Sequence, residues 1–420
     1  MKIKGFPGWR FAGTDGDVSD VIAPPYDVLN AEQKRALQDR SEHNIVGVDL
    51  PQMPPKEAGP DAVYAQAAAT LARWQAEGVL TQDAGETMYV YDQTYTWAGV
   101  TYTRRALLTG VFATPLGADQ DVIPHEHTFA GPKADRLKLT QAGKTQLSPI
   151  FGFYHDPTGQ AGDILDGQTR DAPAVRGELD GVTEELWTIT DPEVLDRLTA
   201  LFAAIPAFIA DGHHRYTTAM NYRDALRDVG EIDDTHETNF VLFALVSRDC
   251  DGLLVLPTHR LVNGLTGFSL AALRASIAGF EWEQISADGL DLADADAFLA
   301  PFGPHAMAFA ADDELWIGKL TDPQAMLDAE PDHCLAWREL DVAILQSLVM
   351  DGALAVFKTD ATNVDYTPDG DAALAAAQTG DAQLAVIMQG TPAQAVEEVA
   401  LAGEVMPHKS TYFYPKLSTG

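Results

Sequence analysis

The sequence predicts a mixed α/β fold built from more than one packed region. Three observations carry that reading. Apolar residues recur at a 3–4 spacing in segments such as Asp61–Glu77, and short β-rich runs such as Met88–Thr96 interrupt them. Beyond about Gly264 helical and extended patterns alternate, as layered α/β architectures require. Hydrophobic residues make up 46% and charged residues 21% of the 420 residues, a globular composition.

In chain order, Pro24-Pro25-Tyr26-Asp27 is a rigid extended turn, because each proline fixes its own φ and restricts its predecessor. Asn30 caps a helix through Arg40. Pro51–Pro60 reads as a loop, and Tyr64, Ala68, Leu71 and Trp74 mark one face of a helix that Gly78 stops. Met88–Thr96 and Val100–Thr103 flank a Trp97-Ala98-Gly99 turn, with Arg105–Phe112 as a third strand. Lys133–Thr145 is a helix and Ser148–Tyr154 a buried strand. Val182–Thr190 is a strand, Pro192–Ala204 a helix, Ala207–Ala210 a short strand and Tyr216–Val229 a helix. Thr238–Ser247 is a strand or a buried helix. Divisions are expected near 115/116 and 265/266, giving regions 1–115, 116–265 and 266–420.

With 28 Lys+Arg against 62 Asp+Glu the net charge is −34. That excludes non-specific nucleic-acid binding and disfavours anionic membranes. The start has no apolar run and no stretch approaches the ~20 residues of a membrane span, so a cytoplasmic location is expected. Cys250 and Cys334 are expected to be free thiols.

The sharpest motif is Asp211-Gly212-His213-His214-Arg215, between an apolar strand and a helix. Gly212 permits a tight turn, and the helix start offers unpaired N–H groups to an anion. Arg215, expected to face solvent, adds a bidentate fork, and the two imidazoles add charge and proton transfer. A second cluster is Pro124-His125-Glu126-His127-Thr128 with Lys133 and Arg136; residues 121–150 hold four Lys/Arg against three Asp/Glu. Glu126, flanked by two histidines, suits a general base. A zinc set from His125, His127 and His213 or His214 lacks any HExxH-like spacing, so no metal ligands are assigned. Lys409-Ser410-Thr411 resembles the end of a phosphate loop but lacks its glycine frame; the segment is read as one wall of an anion pocket or as a packed strand. Thr258-His259-Arg260, at another strand end, is a candidate for the same pocket.

Seven segments then resemble the prokaryotic family catalogued as domain of unknown function 1015: APPYDVL (23–29), PHEHT (124–128), PKADRLKL (132–139), SPIFGFY (148–154), ADGHHRYTTAM (210–220), LPTHRLV (256–262) and MPHKSTYFYPK (406–416). The DGHHR element is also similar to the phosphate-binding element of the ParB/sulfiredoxin superfamily, which includes free-serine kinases. That resemblance implies a phosphate-binding core of that type with additional α/β domains. It makes Gly212, His213, His214 and Arg215 phosphate-binding residues. His213 stands where sulfiredoxins place a reactive cysteine, so sulfinic-acid reduction is not expected.

Together these readings predict an enzyme that binds a nucleotide (ATP or ADP, with Mg²⁺) or a phosphorylated metabolite and transfers a phosphoryl group to a small hydroxylated metabolite, serine being one candidate. Glu126, His213, His214 and Asp211 would be catalytic, Asp211 by holding a histidine or Mg²⁺. Gly212, Arg215, Lys133, Arg136, Lys409, Ser410 and Thr411 would bind the phosphates, and His125, Glu126, Lys133, Arg136, Asp211, His213, His214, Arg215 and Lys409 are expected to line one cleft. A phosphatase and a non-catalytic nucleotide-binding switch are the alternatives.

Overall fold

A computed structural model describes residues 1–12, 16–55, 57–128 and 130–420. The fold is mixed α/β, and the chain divides into two units, Met1–Leu253 with Pro415–Gly420, and Leu254–Tyr414. The divisions read from sequence at 115/116 and 265/266 thus give way to one after Leu253 and one after Tyr414. Composition does not change at either point, so no compositional mark shows them.

In the first unit the strands are β1 (Ile3–Lys4), β2 (Trp9–Phe11), β3 (Leu80–Gln82), β4 (Met88–Trp97), β5 (Val100–Phe112), β6 (Val122–Ile123), β7 (Ile150–Tyr154), β8 (Val175–Leu179), β9 (Val182–Ile189), β10 (Ala207–Asp211) and β11 (Phe240–Ser247). The main sheet runs β6-β10-β7-β11-β5-β4-β9-β8, with β1 also on β5. β4 and β5 form a hairpin in which Ala98 and Gly99 both take positive φ (46° and 77°), the twist a two-residue turn needs. Arg105–Phe112 is not a third strand: β5 continues unbroken for 13 residues because β11 pairs along its second half. The same pairing makes Phe240–Ser247 a strand.

One face of the sheet packs Val90, Leu107, Val241, Phe243 and Leu245 against Leu198 and Phe202 of the helix Pro192–Phe202. A second core gathers Phe11, Tyr26, Leu37, Tyr64, Leu71 and Trp74 from the N-terminal segment and the helices Ala31–Arg40 and Asp61–Ala76. The first of these helices starts in a capping box: Asn30 Oδ1 accepts from the Gln33 N–H at 2.9 Å, and Gln33 Oε1 accepts from the Asn30 N–H at 2.9 Å.

The second unit holds β12 (Leu254–Leu256), β13 (His259–Asn263), β14 (Phe280–Ile285), β15 (Ala306–Ala311), β16 (Glu314–Leu320), β17 (Asn363–Thr367), β18 (Leu384–Ile387) and β19 (Tyr412–Tyr414). Six of them form an antiparallel sheet, β14-β16-β15-β18-β13-β17, while β12 pairs β19. The alanine-rich helix Gly370–Thr379 lays Ala373, Leu374 and Ala377 on Ala308, Ala310, Ala385 and Ile387. Small residues on both surfaces let helix and sheet approach closely. Cys250, in the first unit, and Cys334, in the second, are free. Among the described residues no helix is long and apolar enough to cross a membrane.

Candidate functional site

Strand direction brings the two histidine motifs together. β6 and β10 are parallel with Ile123 opposite Phe208, so Pro124–Glu126, which follow β6, run beside Ile209–Asp211 at the end of β10. β7 runs antiparallel to β10 with Phe151 opposite Asp211, which brings Ser148 and Pro149 to that end as well. Gly212 then turns the chain with φ 103°, a left-handed value that disfavours any side chain, and the helix His213–Asp228 starts at once. The helix begins three residues earlier than the apolar spacing suggests, because its first turn is polar.

His125 and His213 are both buried and meet edge to face, with ring centroids 4.8 Å apart. The His125 Nδ1 lies 2.7 Å from the Ile209 carbonyl, which can only accept, so Nδ1 carries the proton. The His125 backbone N–H donates to His213 Nε2 at 3.3 Å. His213 is thereby the Nδ1–H tautomer, and that N–H faces Glu126 Oε2 at 3.9 Å. Burial, with the His125 ring second, holds the His213 imidazole well below its ordinary value, and burial lowers His125 too. Both rings are neutral at pH 7. His213 therefore contributes an oriented dipole rather than the positive charge expected of it.

Asp211 carries the charge balance of the turn. Its Oδ2 accepts from Arg215 Nη2 at 2.8 Å and its Oδ1 from Lys416 Nζ at 3.3 Å. Burial works against its ionised form, yet the Lys416 and Arg215 cations outweigh it and hold the carboxyl down to about 2. The surroundings of Asp211 do not fit Mg²⁺: both oxygens are engaged by cations that would repel a third. Among the described residues no cluster of three His, Cys, Asp or Glu side chains has a metal-site geometry. His125 and His127 do not share a strand face, since the chain bends there, with His125 buried and His127 exposed.

Arg215 is not solvent-facing. Its side chain is 12% exposed, and Nη1 donates to the Pro149 carbonyl at 2.6 Å. The guanidinium folds back over Gly212, where a Cβ would stand 3.1 Å from its Nε and Nη2. Arg136 is likewise no exposed clamp. It is buried, donates from Nη1 to Asp49 Oδ1 at 3.2 Å and from Nε to Asp135 Oδ2 at 2.8 Å, and stacks 3.9 Å from the Tyr26 ring centroid. Asp135 also accepts from Tyr64 at 2.6 Å. Lys133 reaches Thr128 Oγ1 at 3.5 Å, and His214 lies half-buried in the first turn of the helix.

Arg136 and Arg215 both line a small cavity of about 60 Å³ together with Asp49, Ser148 and Thr218. Its walls share Thr140, Thr145, Gln146, Leu147 and Ala219 with a second cavity of about 850 Å³, which Phe6, Trp9, Tyr89, Tyr222 and Lys144 also line. Asp211, Arg215 and Lys416 thus form one chain of contacts, Glu126 faces His213, and Arg215 shares the small cavity with Arg136. Lys409, Ser410 and Thr411 belong to the second unit.

Sequence reasoning missed Asp49, which lies in no charged motif, and left Lys416 unpaired although its aromatic-rich segment drew attention. No local spacing links residue 211 to residue 416; only the return of Pro415–Gly420 to the first unit does.

No curated protein matches the chain in sequence. Among solved structures, it is similar to a conserved hypothetical protein from Pyrococcus furiosus at 15% identity and a TM-score of 0.32, covering 71% of this chain and 91% of that one. A free serine kinase in complex with AMP gives 13% identity and a TM-score of 0.33, covering 71% of this chain and 88% of that one. C-terminally truncated SbnI from Staphylococcus aureus gives 11% and 0.35, covering 74% of this chain and 84% of that one. Likenesses at these scores are too distant to carry a function. The match in sequence is of another kind, since one family model runs along residues 3–343 and takes in six of the seven motifs, and on that ground the chain belongs to the family described as Protein of unknown function (DUF1015).

Proposed function

We propose that the first unit binds a nucleotide or phosphorylated metabolite at the Gly212–Arg215 turn and transfers a phosphoryl group to a small hydroxylated metabolite. The observation that carries this reading is the parallel exit of β6 and β10, which sets Glu126 against His213 beside the positive end of the helix His213–Asp228. The helix start offers N–H groups and a dipole to an anion. The neighbouring cavity of about 850 Å³ falls in the size range of small-molecule sites.

In this reading the N–H groups of His213 and His214 approach phosphate oxygens, and Arg215 keeps the turn closed through Asp211 while its remaining edge faces the anion. Lys416 supplies a further cation. Glu126, which the His213 Nδ1–H faces at 3.9 Å, takes the proton of the acceptor hydroxyl. Such chemistry asks the protein chiefly for positioning and charge stabilisation.

The test measures binding and turnover separately. ADP, ATP and inorganic phosphate are titrated into the full chain by calorimetry, and phosphoryl transfer from ATP is followed with serine and other hydroxylated metabolites as acceptors. Glu126→Gln should retain nucleotide affinity and lose roughly 10²–10⁴-fold in turnover. Arg215→Lys should weaken nucleotide binding by about 1–3 kcal/mol. Absence of any nucleotide or phosphate binding overturns the reading. Phosphate release without an acceptor converts it to a phosphatase, and binding without turnover to a switch.

A further inference from the structure

The Pro24-Pro25-Tyr26-Asp27 turn of the first unit carries chemistry that the proposed reaction does not use. Two backbone bonds pin its start: the Ala23 N–H donates to the Thr419 carbonyl at 3.0 Å, and the Thr419 N–H donates to the Ala23 carbonyl at 2.8 Å. Pro25 then fixes the chain at φ −56° and ψ 144°, and Tyr26 opens the short 3₁₀ turn Tyr26–Val28. Its ring lies against the Arg136 guanidinium, with Cζ 3.9 Å from the ring centroid. The side chain is 4% exposed, so packing fixes where the hydroxyl sits.

A buried tyrosine normally gives its hydroxyl a partner. In the first unit Tyr64 donates to Asp135, Tyr89 to Asp83, Tyr91 to Glu184, Tyr95 to the Gly252 carbonyl and Tyr216 to the Thr114 carbonyl. The hydroxyls of Tyr26 and Tyr154, both buried, bond to none of the described residues. Their surroundings differ. Tyr154 lies near Asp156 and the Cys250 thiol, with no cation of the described residues in electrostatic reach. The Tyr26 hydroxyl is within reach of two guanidiniums, Arg136 and Arg215, and of two carboxylates, Asp27 and Asp49. Asp49 already accepts from Arg136 and Ser148, and Asp27 is part-exposed, so solvent screens it. Arg136 and Arg215 in turn line the cavity of about 60 Å³, which has room for more than one water molecule.

We propose, resting on the reading of the Gly212–Arg215 turn as a phosphate site, that Tyr26 is a further ligand-binding residue there, its hydroxyl donating to an oxygen of the bound phosphate group. Arg215 is the common neighbour: it lies at the turn and within reach of the hydroxyl. Burial, with Asp27 second, raises the Tyr26 hydroxyl above its ordinary 10, so it stays protonated at neutral pH and keeps a hydrogen to donate. A charged oxygen makes a stronger bond to such a donor than a neutral one.

ADP and inorganic phosphate are titrated by calorimetry into the full chain and into its Tyr26→Phe, Tyr154→Phe and Arg215→Lys variants, and each ligand-free protein is melted. Tyr26→Phe keeps the ring on Arg136 and removes only the hydroxyl. It should lose roughly 10–100-fold in affinity for both ligands, the range of one hydrogen bond to a charged group, with an unchanged melting temperature. Tyr154→Phe should match the parent in both measurements, and an equal loss in that variant overturns the proposal. So does a Tyr26→Phe that binds both ligands as tightly as its parent; if Arg215→Lys binds more weakly in the same series, the phosphate site stands without Tyr26. A loss confined to ADP overturns it, since the hydroxyl would then meet the nucleoside. A ligand-free Tyr26→Phe that melts well below its parent overturns it too, since the hydroxyl would then hold the fold. A parent that binds neither ligand overturns both this proposal and the phosphate site it rests on.

Discussion

Arg136 in the first unit and Arg260 in the second are both buried, yet their surroundings are opposite. Arg136 sits between Asp49 and Asp135 over the Tyr26 ring, whereas among the described residues Arg260 meets neutral oxygens, the Met388 thioether and Tyr366. The first arrangement is complete in itself, since two carboxylates answer the guanidinium. The second relies on neutral dipoles alone. Two buried guanidiniums are thus satisfied in different ways, one by counter-charge and one by carbonyl and hydroxyl oxygens.

The sharpest way to break that contrast is to remove the paired arginine. Arg136→Met leaves Asp49 and Asp135 buried without their cation, and should cost about 3–5 kcal/mol of stability. Urea denaturation checks it. A loss below about 1 kcal/mol would mean that Arg136 is no more integral than Arg260. Asp49, whose carboxyl burial already pushes up against the pull of Arg136, would then protonate without penalty.

Asp211 offers a graded version of the same test. Its carboxyl falls from an ordinary 3.8 to about 2 in the folded chain, worth about 2 kcal/mol. The folded value is the lower one, so this stability is present above about pH 4 and is lost as pH falls through about 2. Asp211→Asn should therefore be less stable than the parent by about 2 kcal/mol at pH 7, with the gap closing as pH approaches 2. Gly212→Ala should cost less, about 1–2 kcal/mol, through its φ of 103° and its crowding of Arg215. Replacing Lys416 should release the Asp211 carboxyl toward its ordinary value, visible by carboxyl NMR.

Much of this was legible before any coordinates. Asn30 declared a helix start because its side chain and Gln33 satisfy local N–H groups, and the 97–99 turn declared a hairpin because only certain residues accept positive φ. These are effects of neighbours in sequence. The approach of Glu126 to His213 was half legible: each motif ends a strand, but only the parallel pairing of β6 and β10 puts both at one edge. The state of Arg215 was not legible. Whether a guanidinium faces solvent or a carbonyl depends on Pro149, 66 residues away, and a motif carries no such information. The same holds for Asp49 beneath Arg136 and for Lys416 beside Asp211, where the partners are joined only by tertiary packing.

The smallest effect separates the histidines of the two units by the sign of their pH response. His213 has a folded pKa well below 6.5, so protons favour the unfolded chain, and its contribution is full above about pH 6.5 and falls as pH drops beneath it. His305 in the second unit donates from Nδ1 to Asp341 Oδ1 at 2.9 Å, and that bond, with burial opposing, raises its pKa above 6.5. Its contribution is full below pH 6.5 and disappears as pH rises through the raised folded value. The His305–Asp341 pair is partly exposed and should be worth about 0.2–1 kcal/mol. His305→Asn should therefore destabilise the chain more below pH 6.5 than well above it, while the parent loses His213-dependent stability as pH falls below 6.5. Imidazole NMR decides the matter directly. His305 should titrate above 6.5 with its Nδ1–H retained, and His213 well below 6.5. A His213 that titrates near 6.5 would mean that its Nε2 is open to solvent instead of accepting the His125 N–H, and the Nδ1–H that faces Glu126 would lose its fixed direction.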